Sequence, residues 1–257
     1  MPASYKPMVV TAALVGAVLI IDDATTTPGT APAQPTAPTT STPSTPPATT
    51  AAALPHRDTR GVIQTMGDQS ASVALTFDDG PSPTYTPQVL EILAEHDVPA
   101  TFCLVGTNAI AHPELVQEIV DGGHTLCNHT VTHDMNLPNR DVEQIRREIA
   151  GAQDAIAAAV PGTEVPFYRA PGGAFAPNVQ AVAMEYQLES LGWSLDPRDW
   201  AAPGAEAIRA AVVDGVIPGS IVLLHDGGGD QSGTVAALEG IIVALREAGY
   251  EFVVPTM

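Results

Sequence analysis

Positive charge is scarce in this chain of 257 residues. It carries 10 lysines and arginines against 29 aspartates and glutamates, a formal net charge of −19, and Lys6 is its one lysine. Binding to phosphate groups depends on clusters of basic side chains, so this composition argues against nucleic acids and anionic lipid headgroups as partners. A neutral partner or a cation fits the charge balance better.

Long hydrophobic runs are also lacking. The uncharged apolar run 8–21 follows Lys6 and is shorter than the roughly 20 residues that a membrane-spanning helix needs. Residues 1–23 are therefore predicted to be an export signal peptide. Because the small-x-small sequence 31–33 lies far downstream for a cleavage site, an uncleaved signal-anchor stays an alternative. Both alternatives predict an extracellular or cell-surface protein.

The segment after the signal lacks charge and large side chains. Residues 24–55 consist mainly of Pro, Thr and Ala, which cannot bury enough surface to offset the entropy of ordering the chain. We expect a disordered N-terminal extension, with 24–69 acting as a proline-stiffened linker and lead-in. Residues 70–257 are then predicted to form one folded domain.

Cysteine is nearly absent, with Cys103 and Cys127 as the two examples. In an exported chain a pair of cysteines favours one disulfide. Both fall in predicted neighbouring strands, whose spacing of about 4.8 Å permits a bridge if the register agrees. Two buried free thiols are the alternative.

Short apolar runs alternate with amphipathic segments in the folded part. This alternation predicts a parallel sheet wrapped by helices. The predicted strands are 72–77, 101–105, 125–128, 167–170, 188–195, 220–225 and 251–254. The predicted helices are 87–97, 113–123, 141–160, 204–215 and 235–249. In the helix 141–160, Asp141 is the predicted N-cap, and Val142, Ile145, Ile149, Ala152 and Ile156 form the predicted apolar face.

Polar residues interrupt this pattern where five predicted strands end. Chemistry in parallel α/β folds is found at the carboxyl ends of strands, so these residues are predicted to share one site. They are Asp78, Asp79, Asn128, His129, His133, Arg169, Asp196, Asp199, Trp200, His225 and Asp226.

His129 and His133 are spaced so that they can share a borderline-soft divalent ion. With one aspartate from another strand they predict a two-histidine, one-aspartate metal site with open positions. Asp78 and Asp79 can then divide the work, because one can bind the metal while the other accepts a proton from water.

Five motifs occur in order along the chain: "TFDDGP", "HTVTH", "RAPGG", "DPRDW" and "LLHD". Together they resemble polysaccharide deacetylases of carbohydrate esterase family 4, which share the chitooligosaccharide-deacetylase homology domain. The resemblance spans about residues 70–257. It implies a distorted, incomplete β/α barrel of about seven parallel strands.

The resemblance also implies roles for individual residues. Asp78 would be the general base, and Asp79, His129 and His133 would bind the metal, usually zinc, with another divalent ion such as Co²⁺ as an alternative. Arg169 would hold the base, while Asp199 would orient His225, the general acid. Trp200 and Leu223 would line the acetyl pocket and groove. Asp226 is expected to bond locally, and Trp193 to belong to the core.

The chain departs from the family at one position. Gly172 stands where an aromatic residue is usual, so one wall of the groove is undefined, although the backbone N–H of Gly172 remains available to an oxyanion.

The implied activity is metal-dependent hydrolysis of N-acetyl groups on glycans that contain N-acetylglucosamine, either chitooligosaccharides or peptidoglycan. O-deacetylation of acetylxylan and a catalytically inactive glycan-binding protein are the alternatives. We expect a monomer whose partner is a neutral N-acetylated glycan.

Overall fold

The computed structural model describes residues 56–58, 61–67 and 71–257. The predicted signal segment 1–23 and most of the predicted linker lie outside the described residues, so those predictions stay predictions. Among the helices in the described ranges, none is long and apolar enough to cross a membrane.

One mixed sheet organises the described part of the chain. Its strands are β1 (His56–Arg57), β2 (Ile63–Thr65), β3 (Ser72–Asp78), β4 (Ala100–Leu104), β5 (Thr125–Asn128), β6 (Phe167–Tyr168), β7 (Glu189–Ser190), β8 (Ser220–His225) and β9 (Glu251–Phe252). The strand order is β1-β2-β8-β3-β4-β5-β6-β7, and β9 also pairs with β3. Strands β3 to β9 pair in parallel, whereas β1 and β2 run antiparallel to their partners. The lead-in part of the segment 24–69 thus contributes two strands.

The sheet curls into a nearly closed barrel. After β7, Leu195 forms a parallel bridge with Val222 of β8, and Leu191 forms one with Ile63 of β2. These contacts join the last strand of the order to the strands near its beginning. The predicted fold class, an incomplete β/α barrel of about seven parallel strands, is confirmed.

Seven helices surround the described sheet. They are α1 (Thr86–Glu95), α2 (Gly106–Ala111), α3 (Pro113–Asp121), α4 (Val142–Ala159), α5 (Pro177–Glu185), α6 (Ala205–Gly215) and α7 (Ser232–Glu247). Five coincide with predicted helices, whereas the sequence pattern does not indicate α2 and α5. Helix α2 has six residues and buries only two small ones, Gly106 and Ala109. Helix α5 is as long as α3, but its apolar residues include the exposed Met184, so neither helix shows a clear apolar face in the sequence.

Helix α4 begins as the sequence predicts. The Asp141 side chain accepts a hydrogen bond from the Gln144 N–H, and the Gln144 side chain returns one to the Asp141 N–H, forming a capping box. The buried face starts at Ile145. Val142 is 48% exposed, which corrects its assignment to the apolar face, because it lies in the first turn ahead of the contacts with the sheet.

Alternate residues of β3 serve opposite sides of the sheet. Val73, Leu75 and Phe77 pack into the main core, which includes the surrounding helices, while Ala74 belongs to a smaller cluster with residues of β2, β4, β5, β6 and β8. Asp78 shares its side of the strand with Ala74. The side of β3 that faces the barrel interior is therefore apolar at Ala74 and ends in the polar Asp78 at the rim.

Cys103 and Cys127 belong to that smaller cluster. They are direct partners in the parallel register of β4 and β5, with 4.2 Å between their Cα atoms, and the structure joins them in a disulfide. The predicted bridge is therefore present, and it ties together two strands that lead to the polar rim.

Candidate active site

A cavity of about 360 Å³ opens at the carboxyl ends of the barrel strands. The structure brings nine of the predicted site residues to its wall: Asp78, Asp79, His129, His133, Gly172, Asp196, Trp200, Leu223 and His225. Arg169 and Asp199 are buried beneath it and contact the wall residues Asp78 and His225. The strand-end pattern thus predicts most of the grouping. Asn128 is an exception, because it is buried and donates to the Ile149 carbonyl of α4 at 2.9 Å instead of lining the cavity.

Three side chains converge as a metal ligand set would. One ligand atom from each of Asp79, His129 and His133 lies within 4.8 Å of the other two. Asp79 Oδ1 is 3.4 Å from His129 Nε2 and 3.2 Å from His133 Nε2. That buried oxygen has no well-aligned hydrogen bond among the described residues. An orphaned carboxylate oxygen facing two imidazole nitrogens fits a divalent ion of the zinc type, so the residues suit the implied metal.

Two of the three ligand residues have uncommon backbone conformations. Asp79 and His133 have left-handed φ values of 71° and 55°, which most side chains avoid. The Asn108 side chain donates a 2.8 Å hydrogen bond to the Asp79 carbonyl. Gly228 approaches so closely that a Cβ there would lie 2.3 Å from Asp79 Oδ2, so only glycine fits.

The side chains of the ligand set shift one another's pKa. Burial raises the pKa of Asp79, but the neighbouring His129 and His133 outweigh it and lower that pKa to about 2. Burial lowers the pKa of His129, yet the charges of Asp78 and Asp79 leave it raised overall. Asp79 is thus ionised throughout the physiological pH range, as a metal ligand must be.

His129 is held in one orientation from behind. Its Nδ1 lies 2.7 Å from the Arg169 carbonyl oxygen, which can only accept, so Nδ1 carries the proton. Nε2 then keeps its lone pair toward Asp79 when the ring is neutral. A carbonyl that fixes the tautomer in this way is a common accompaniment of histidine metal ligands.

Asp78 is buried and held by Arg169, which directly follows β6, a strand separated from β3 by β4 and β5. Arg169 Nη1 donates to Asp78 Oδ1 at 2.7 Å and to Thr76 Oγ1 at 2.8 Å. The other two donor groups of the guanidinium reach the carbonyl oxygens of Leu191 and Gly192, each at 3.0 Å. The second oxygen of Asp78, Oδ2, points toward the ligand set, 3.6 Å from His129 Nε2.

His225, which is partly exposed to the cavity, pairs with the buried Asp199. His225 Nδ1 donates to Asp199 Oδ1 at 2.8 Å, and the His225 backbone N–H donates to Asp199 Oδ2, also at 2.8 Å. Thr234 and the Trp200 backbone N–H add further hydrogen bonds to the same carboxylate. Burial lowers the pKa of His225, but Asp199, with the charges of Asp78 and Asp79, raises it to about 9. The imidazole is therefore protonated at neutral pH.

Three wall residues escape prediction from the sequence. They are Met135, Ala170 and Trp193, and Trp193 packs against the core clusters, as predicted, as well as lining the cavity. The predicted strand 188–195 is extended only at Glu189–Ser190, and the irregular chain beyond it carries Trp193 to the cavity edge, 5.7 Å from the Arg169 guanidinium. Asp196 was a strand-end candidate, whereas no pattern in the sequence signals Met135.

Asp226 has wider contacts than the predicted local hydrogen bond. Its backbone N–H donates to the Asp78 carbonyl, and its carboxylate accepts from Thr86 Oγ1 at 2.5 Å. Burial is the largest cause that raises the pKa of Asp226 to about 7. The side chain presses against Gly80, where a Cβ would lie 2.4 Å from it, and so supports the turn that follows the two aspartates.

Fold and site together define a class of barrel-shaped α/β proteins. Its members have a two-histidine, one-aspartate ligand set beside a buried aspartate and a partly buried histidine, an arrangement suited to hydrolysis. Comparison with known proteins makes the assignment specific. The polysaccharide deacetylase domain matches residues 66–191. The chain belongs to the polysaccharide deacetylase family.

Individual relatives agree with this assignment. The chain is 44% identical over 196 residues to a chitooligosaccharide deacetylase of Sinorhizobium fredii, covering 72% of this chain and 90% of the relative. It is 43% identical over 183 residues to a peptidoglycan-N-acetylglucosamine deacetylase of Bacillus cereus, covering 70% and 84%. It also resembles the solved structure of a CE4 family pseudoenzyme from Bacillus anthracis, with a TM-score of 0.69, 31% identity, and coverage of 75% and 66%.

Proposed function

We propose that this protein is a divalent-metal-dependent deacetylase that hydrolyses N-acetyl groups of N-acetylglucosamine-containing glycans and releases acetate. Support comes from relatives named for chitooligosaccharide and peptidoglycan substrates at more than 40% identity. The observation that carries the proposal is the cavity itself, where the ligand set, the Arg169-held Asp78 and the Asp199-held His225 face one space.

Asp79, His129 and His133 would hold the ion, with zinc as the proposed identity and Co²⁺ as an alternative. When bound, such an ion supplies Lewis-acid polarisation of a carbonyl and makes water more acidic. Because Asp79 offers Oδ1 and both imidazoles can present Nε2, the three ligands leave further positions open to solvent or substrate.

Asp78 would act as the base. Arg169 occupies its Oδ1, which leaves Oδ2 facing the cavity as the acceptor of a proton from the attacking water. The guanidinium also sets a positive charge 2.7 Å from a carboxylate that is buried beside Asp79. Two adjacent aspartates thus have different partners and separate tasks.

His225 would act as the acid. Amide hydrolysis must protonate the departing amine, and the raised pKa of His225 keeps a proton available for that step. With Nδ1 committed to Asp199, Nε2 is the nitrogen that delivers the proton. Leu223 and Trp200 complete the cavity and would enclose the acetyl methyl group. The Gly172 N–H would assist in holding the oxyanion.

The expected setting follows from sequence. We propose a monomer, exported by the segment 1–23 or held by it at the cell surface, that acts on a neutral glycan. The acidic composition suits such a partner, because it repels polyanions without opposing an uncharged sugar chain.

Acetate release tests this proposal. The purified protein is incubated with chitooligosaccharides, peptidoglycan and acetylxylan, each before and after removal of metal by a chelator. We expect acetate from the first two substrates, loss of activity with the chelator, and recovery on adding Zn²⁺ or Co²⁺. Acetate from acetylxylan alone would select O-deacetylation, and binding without release from any substrate would select the inactive glycan-binding alternative. Full activity of a metal-free preparation would contradict the metal requirement.

A further inference from the structure

Met135 is an apolar side chain that the chemistry above does not use. It is 61% exposed and lines the same cavity as Asp79 and His133. Among the large apolar side chains that the structure describes as exposed, Met135 and Trp200 are the two on this cavity. Exposed apolar side chains beside a catalytic cavity are typical of ligand contacts.

The backbone that presents Met135 is well anchored. The neighbouring Leu137 is buried with 1% exposure, and its N–H donates to the Asp134 carbonyl at 3.0 Å. The Asp134 carboxylate pairs with Arg140 at 2.6 Å, and Asn178 donates to the Pro138 carbonyl at 3.0 Å. The exposure of Met135 is therefore a property of a fixed segment that directs the side chain outward.

Gly172 provides the surface on which Met135 rests. A Cβ built on Gly172 would lie 2.5 Å from Met135 Cε and 3.0 Å from Sδ. Gly172 has a left-handed φ of 58°, so the backbone itself favours a residue without a side chain. The thioether of Met135 consequently occupies the space above position 172, where the sequence alone leaves one wall of the groove undefined.

We propose that Met135 is a substrate-binding residue that contacts the C–H face of a pyranose ring in the bound glycan, an inference that rests on the proposed function. Pyranose rings present apolar C–H faces as well as hydroxyl groups, and a thioether packs against the former. Methionine is unbranched, with three rotatable bonds, and the absence of a side chain at Gly172 leaves it free to swing. The wall can thus adjust to sugars with different substituents, as Met-rich surfaces do elsewhere.

Three substitutions at this position test the contact. Met135→Ala removes it, Met135→Leu keeps apolar volume, and Met135→Gln keeps length but adds polarity. Met184→Ala is the matched control, because Met184 is 73% exposed on α5 and does not line the cavity. We measure kcat and KM for chitooligosaccharides and for an aryl acetate that has no pyranose ring, together with the metal content of each variant.

We expect Met135→Ala to raise KM for chitooligosaccharides about 3- to 10-fold with kcat changed by less than about twofold, the range for losing part of an apolar contact. Met135→Leu should restore most of the affinity, and Met135→Gln should resemble Met135→Ala. The KM defect on the aryl acetate should be clearly smaller, and the metal content should equal that of the unmodified protein.

Different failures have different meanings. An unmodified protein that releases no acetate from any glycan would refute the proposed function. An active unmodified protein whose Met135→Ala variant keeps its KM would overturn the role of Met135. So would equal KM defects on both substrates, or a Gln variant as good as the Leu variant. Metal loss in Met135→Ala would overturn it too, by showing that the side chain supports His133.

Discussion

The two sides of the cavity differ in burial and polarity. On the buried side, Arg169 is fully enclosed and Asp199 is 1% exposed, and each makes hydrogen bonds to several partners. On the open side, Met135 and Trp200 are more than half exposed, and Trp200 carries the guanidinium of Arg198 stacked 4.9 Å from its ring. The buried side fixes charge and proton positions, and the open side presents adjustable apolar surface. We expect substitutions on the first to affect turnover or stability, and on the second to affect affinity.

Removing Arg169 should have the largest effect. Arg169→Met leaves Asp78 buried without its partner and leaves Thr76 and two carbonyl groups without a donor. We expect a loss of about 3–5 kcal/mol in the free energy of unfolding, the usual result of breaking a buried ion pair, and nearly complete loss of activity. Denaturant unfolding monitored by circular dichroism measures the first.

The matched control for Arg169→Met is Arg146→Met. Arg146 lies on the surface of α4 and pairs with Glu143 and Glu185. Surface ion pairs contribute about 0–1 kcal/mol, so this variant should remain close to the parent in stability and activity. Equal destabilisation of the two variants would show that the loss of stability does not depend on the burial of the arginine.

Asp78→Asn should lower turnover without emptying the metal site. The amide keeps the shape of the side chain but cannot accept a proton from water, so kcat should fall about 10²- to 10⁴-fold, the scale of general-base loss. Metal content, measured on the dialysed protein, should stay near that of the parent. Metal loss in this variant would show that Asp78 and Asp79 have been assigned in the wrong order.

Asp199→Asn should move the alkaline limb of the pH–rate profile. His225 must be protonated to donate, so activity falls as pH rises through its pKa. Asp199 is a main cause that raises this pKa to about 9, and its neutral replacement lets burial lower the pKa again. We expect the limb to shift to lower pH and the loss of kcat to grow with pH. A limb that does not move would mean that another group controls it.

Trp200→Ala belongs to the open side and should have the smallest effect. Its ring lines the cavity while 53% of the residue remains exposed, so only part of its surface can contact a substrate. We expect KM for chitooligosaccharides to rise about 3- to 10-fold, with a much smaller change in kcat than in Asp78→Asn. A fall in kcat comparable to that of Asp78→Asn would place Trp200 with the buried machinery.

The same division explains what the sequence could predict. The strand-end residues from Asp78 to His225 were predictable, because parallel strands bring their carboxyl ends to one rim and because ionisable residues after apolar runs stand out. The Cys103–Cys127 bridge was predictable as a possibility, but the register that opposes them in β4 and β5 is set by tertiary packing. Met135 and Trp193 were not predictable as wall residues, since apolar side chains in irregular segments show no period that indicates their direction. Helices α2 and α5 were missed for a related reason, because the buried residues of α2 are few and small and the apolar residues of α5 are not confined to one face.

The separate anchoring of Asp78 and Asp79 has an evolutionary consequence. Asp78 depends on Arg169, whereas Asp79 faces the two histidines, so a single change at Asp78 can silence hydrolysis while the sugar groove and the ligand set persist. One mutation would turn such an enzyme into a lectin, which binds the glycan without hydrolysing it and keeps the same fold. For the experimenter, the silenced protein is a reagent: it would hold its glycan without consuming it, and could report which polymers it recognises on an intact cell wall.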